Sequence, residues 1–191
     1  MPSVLHAQEK LILAGNILLI ICCAFYLAWW LAALRPSGAG GPNTGWLLIP
    51  AAIAGLLGVV LALTGILSQS PALRLLPGSA ILVGGFAAYV VLLVLTVRVL
   101  KRPATTELGL IVGWGMLALA EVNALYGSGV FTRRLSVGFL AVTGAAVVIS
   151  LVCYILYYRL DSRAAYIDGM IPLLLAATTM AGISCFMLTP A

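Results

Sequence analysis

Glu121 is the one charged residue within the apolar stretch from Leu108 to Thr132. Removing an ionised carboxylate from water into hydrocarbon is costly unless the group is paired or hydrated. Glu121 therefore faces a bundle interior or a water-filled cavity, or it keeps its proton. The first arrangement suits a ligand-binding or proton-binding group. The second suits a hydrogen-bonding lock between two helices. A helix short enough to lift the acid to the headgroup level is the remaining alternative.

Helical geometry sorts the neighbours of Glu121. Asn123 lies about 200° around the helix and belongs to another face. Trp114, Leu117, Ala118 and Leu125 share the face of Glu121, with Trp114 about two turns deeper. Depth gives a second sorting. Asn16, Glu121, Asn123, Thr143 and Ser184 all fall in the half of their apolar stretches nearer the chain termini, and Tyr89 falls in the middle of its own. The candidate ligand-binding set is thus Glu121, Trp114, Asn16, Tyr89, Thr143 and Ser184. If their faces converge, they form one polar pocket opening toward the terminal side. Otherwise the hydroxyls bond back to their own helices.

The remaining reactive residue types argue against catalysis. His6 is the only histidine, so a histidine-based metal or haem site is not available within one chain. Cys22, Cys23, Cys153 and Cys185 form no C-x-x-C pair and read as small hydrophobes. Asp168 stands at a helix start, where an acid complements free backbone N–H groups. It belongs to the opposite membrane face, ~20 Å from Glu121 by rise per residue, too far for a shared-proton pair. The chain contains no G-x-S-x-G, H-E-x-x-H or P-loop motif. No catalytic residue and no cofactor are expected.

These residues need elements that can carry them through hydrocarbon. Leu11 to Leu34 is 24 residues without Asp, Glu, Lys or Arg, and Pro36 to Leu73 is 38. Leu75 to Val97, Leu135 to Tyr158 and Gly169 to Ala191 are equally free of charge. A spanning helix needs about 20 apolar residues. The chain is 63% hydrophobic and only 8% charged, far below the ~25% charged of a soluble domain. Runs that are continuously apolar rather than alternating exclude a membrane β-barrel. The expected class is all-α, a polytopic transmembrane six-helix bundle. It forms a single integral membrane domain over 1–191, with helices at about 11–34, 46–68, 79–100, 108–126, 135–158 and 170–189.

The lipid bilayer is the first partner. The basic residues cluster at helix ends, as headgroups and the positive-inside bias favour, and no nucleic-acid motif accompanies the net charge of +5. The first apolar run is too long for a cleaved signal peptide and ends in Trp29-Trp30. Six crossings put both termini on one side. Arg35, Arg98, Lys101, Arg102, Arg159 and Arg163 on the other side outnumber Lys10, Arg74, Arg133 and Arg134, which favours termini outside. The expected location is a bacterial inner membrane.

Small residues recur at Ala51-x-x-x-Gly55, Ala141-x-x-x-Ala145 and Ala177-x-x-x-Ala181. They allow close helix approach, within the bundle or against a membrane partner subunit. The outline of six helices in about 190 residues resembles the substrate-binding membrane subunits of energy-coupling vitamin importers, a likeness of architecture that no motif residue carries. The expected function is transport or small-ligand binding around Glu121. An assembly subunit acting through helix contacts is the alternative, and a lipid-modifying enzyme comes third.

Overall fold

The computed structural model describes residues 5–34, 44–69, 75–99, 101 and 106–189. The loops expected at 35–45, 69–78 and 101–107 fall largely outside these residues, as do Arg35, Arg74 and Arg102 of the charge comparison. The helices are α1 (Ala7–Ala33), α2 (Leu48–Leu67), α3 (Gly78–Val94), α4 (Thr106–Gly127), α5 (Arg133–Leu156), α6 (Ser162–Asp168) and α7 (Ile171–Leu188). A 3₁₀ turn, Thr44–Leu47, leads into α2, and a π turn, Leu95–Val99, extends α3. Six helical segments are long and apolar enough to cross a membrane, with α6 and α7 sharing the last. The described residues contain no strand, and the protein is an all-α six-helix membrane bundle.

The last crossing differs from expectation. The polar stretch 159–169 reads as a loop, yet Ser162–Asp168 is helical. Asp161 takes the extended N-cap conformation, and no Gly or Pro interrupts the seven residues that follow. Gly169 then separates this short helix from α7.

Glycine sets the tightest seam. A Cβ on Gly15 would lie 2.7 Å from the Ala62 nitrogen and 2.8 Å from the Gly58 carbonyl oxygen. One on Gly65 would lie 2.7 Å from the Gln8 carbonyl oxygen. The α1 and α2 backbones therefore touch along most of their length, the small-residue packing available in lipid. The Gln8 amide donates to the Ser68 carbonyl across the end of this pair (3.0 Å). Ala51 is buried, in keeping with internal packing, whereas Ala141 and Ala145 point outward.

α4 is the most enclosed of the long helices, packing on α2, α3, α5 and α7. Two residues beyond its end at Gly127, the turn holds Gly129 at a φ of 82°, which suits glycine. Phe131 beyond it stacks on Phe139 of α5 at 5.4 Å, and Phe139 meets Phe186 of α7 edge-on at 5.5 Å. The outer faces carry large exposed apolar side chains, among them Ile53 and Leu56 of α2 and Val83 and Phe86 of α3. In water such a surface would aggregate; in a bilayer it meets lipid tails.

Candidate ligand-binding cavity

Glu121 is fully buried, and so is Asn16 of α1. The Asn16 amide is the polar group that acts on the Glu121 carboxyl, yet neither completes a hydrogen bond within 3.5 Å. Ile12, Val122 and Leu125 close one apolar cluster beside them. Among the described residues no cation is paired to the Glu121 carboxyl.

The other candidates do not gather around this acid. Thr143 is fully buried without a hydrogen-bond partner. The packing of Gly115 on Val147 places it level with the turn of α4 that carries Ala118 and Glu121. Ser184 donates back to the Met180 carbonyl of its own helix (2.8 Å). Tyr89 packs with Leu108, Ile111 and Tyr154, and its ring meets Gly109, ~18 Å along α4 from Glu121. The expected convergence of six residues on one pocket is corrected accordingly: Tyr89 belongs to the other end of the bundle.

Asn123 has a separate task. Its Oδ1 accepts from the backbone N–H of Leu75 (2.8 Å) and Leu76 (3.1 Å), and its Nδ2 donates to the Leu76 carbonyl (2.8 Å). A buried amide thus stands in for a peptide group and pins the segment entering α3 onto α4. This segment matters because α2 and α3 do not pack extensively on each other; the packing of α3 is on α4, where Met116 covers Gly85.

A cavity of about 910 Å³ lies along α4, bordered from Glu107 to Gly127. That is the volume of a typical small-molecule site. α1 and α4 meet near the termini, where Ile12 packs on Val122 and Leu125. The α1 residues bordering the cavity begin only at Leu19 and continue to Trp30. The cavity passes Glu121 on both sides: it reaches Ile66, Leu67, Gln69 and Gly127 toward the termini, and Trp30, Glu107 and Asp168 at the other end. Trp114 borders it; Glu121, two turns further on the same face, does not. The wall is mostly aliphatic.

Among the described residues, four that border the cavity carry buried polar atoms without a hydrogen-bond partner: the Trp114 indole nitrogen, the Ser150 hydroxyl, Asp168 Oδ2 and the Gln69 amide. Unpartnered buried polar atoms are uncommon in folded proteins. The sequence pattern does not single out Ser150 or Gln69, and it reads Asp168 as a helix-start acid. Trp30 is buried, its indole N–H donating to the Tyr166 carbonyl (3.1 Å). The available signal was that acid and aromatics share one depth on the side away from the termini.

No group of three or more metal-ligating side chains occurs among the described residues. Comparison with protein-family models, curated proteins and solved structures finds no match for the chain.

Proposed function

We propose that this membrane protein binds a small, elongated and mostly apolar molecule in the cavity along α4. The observation that carries this reading is the coincidence of a ligand-sized, largely aliphatic cavity with the unpartnered polar atoms of Trp114, Ser150, Asp168 and Gln69 on its wall. Few polar groups on an apolar wall are the usual composition of such sites. Trp114 is the expected site residue that contacts the ligand, and Glu121 and Asn16 stand behind the wall. Transport is the extension of this reading in which the bound molecule is released to another face or leaflet.

Gly113 provides the test. It borders the cavity, and a Cβ there would meet nothing within 4 Å. Gly113→Phe fills the site without a backbone clash. Gly138 has equal room and lies away from the cavity, so Gly138→Phe is the matched control. The neutral probe diphenylhexatriene, titrated onto the purified protein in detergent, reports binding by energy transfer from tryptophan. Saturable transfer is expected in the parent and in Gly138→Phe and is expected to be lost in Gly113→Phe. Non-saturable transfer in the parent, or identical curves for all three proteins, defeats the reading.

A further inference from the structure

The end of the cavity away from the termini differs in chemistry from the rest. Tyr26 and Trp30 of α1, Tyr154 of α5, and Tyr157 and Tyr158 just beyond it border the cavity there, together with Glu107 and Asp168. The rings form a connected set. Trp30 meets Tyr157 at 6.0 Å, Tyr157 meets Tyr158 at 5.1 Å, and Tyr158 meets Tyr154 at 6.3 Å, each close to edge-on. Tyr26 lies within electrostatic reach of both Glu107 and Tyr157. Asp168 adjoins Gly169, on which the Trp30 ring lies, and has the Cys153 thiol beside it.

An interfacial girdle of tyrosine and tryptophan would place its polar tips among headgroups. This set does otherwise. Trp30 is buried, its N–H spent on a backbone carbonyl, and its ring borders the cavity. The two acids are equally out of place for headgroup binding. The same membrane side carries Arg98, Lys101, Arg159 and Arg163, yet among the described residues neither acid is joined to a lysine or arginine in an ion pair. Asp168 is more than nine-tenths buried, with Oδ2 unpartnered. Aromatic faces and uncompensated carboxylates around one space attract the same thing: an organic cation, whose charge the rings and acids stabilise while its substituents stay in apolar contact.

We infer that this end of the cavity recognises an ammonium group, so that the ligand is an amphipathic amine or quaternary ammonium with its hydrocarbon portion lying along α4. This rests on the cavity being the binding site and adds the headgroup to it. Glu107 and Asp168 supply the charge, and Tyr26, Trp30 and Tyr157 the ring faces.

The trimethylammonium derivative of diphenylhexatriene, compared with the neutral parent dye, tests the inference. The cationic probe is expected to bind roughly tenfold tighter than the neutral one, the scale of a desolvated cation–aromatic contact with added carboxylate attraction. Asp168→Asn and Glu107→Gln are each expected to narrow that preference, read within each variant as the ratio of its affinities for the two dyes. Glu107 is exposed, so its variant tests the idea even if Asp168→Asn folds poorly. Equal affinity for the two dyes in the parent, or a preference untouched by Glu107→Gln and Asp168→Asn alike, overturns the ammonium assignment. Loss of neutral-dye binding in Gly113→Phe would still stand in that case and would keep the cavity reading separate.

Discussion

The six-membered ring of Trp30 lies directly on the backbone of Gly169, leaving no room for a methyl group between them. The same indole donates to the Tyr166 carbonyl. One side chain of α1 thus holds the joint between α6 and α7 and, through it, the position of Asp168.

Gly169→Ala is expected to destabilise the protein by ~1–3 kcal/mol, the usual cost of overpacking a fitted contact. Gly138→Ala, with open space at its Cβ, is expected to be neutral or stabilising by about 0.4–1 kcal/mol. Thermal unfolding in detergent compares the two. Equal midpoints would mean that the Trp30 contact yields freely.

Asn123→Ala removes three hydrogen bonds to Leu75 and Leu76. Leaving those backbone groups without a partner is expected to cost about 1–3 kcal/mol. Amide hydrogen exchange at Leu75 and Leu76 is expected to accelerate well before exchange in α4. Unchanged protection there would show that the segment is held by something else.

Glu121→Gln keeps the shape of the side chain and its hydrogen-bonding reach toward Asn16. Since Glu121 does not border the cavity, neutral-dye binding is expected to stay within about twofold of the parent, well under the 1.4 kcal/mol that a tenfold change represents. Glu121→Lys would bury a cation with no acid opposite it, and is expected to lower the yield of folded protein. Abolished binding in well-folded Glu121→Gln would return the acid to the ligand site.

Gly15→Leu drives a side chain into the α2 backbone at Gly58 and Ala62. Neither partner atom there is the tip of a flexible chain, so the α1–α2 pair is expected to separate. The measurable result is a lowered unfolding midpoint together with weakened dye binding, because both helices wall the cavity. A parent-like midpoint would mean that the pair has slack that the close approach of the backbones does not suggest.

The six crossings were legible from charge-free length alone, because hydrocarbon admits almost nothing else. So was the shared face of Trp114 and Glu121, which follows from helical periodicity. What covers that face was not legible. The cavity wall takes Ala120, Asn123 and Ala124 of α4 but not Glu121, and takes α1 only from Leu19 onward, and this choice of faces depends on how whole helices lean. Hence Trp114 reaches the cavity and Glu121 does not. Asn123, on its own face as the helical angle required, found its partners in an irregular segment that no periodicity describes. Tyr89 and Ser184 were placed by depth, which carries no information about direction around the axis.

α2 and α3 both border the cavity yet do not pack extensively on each other. If the proposed site binds as inferred, its ligand would meet it sideways from the bilayer, without first dissolving in water. Its rival for occupancy would be the hydrocarbon tail of an ordinary neighbouring lipid. Loading would then follow the mole fraction in the surrounding bilayer, and changing host lipid chain length would tune occupancy even where no side chain has been altered.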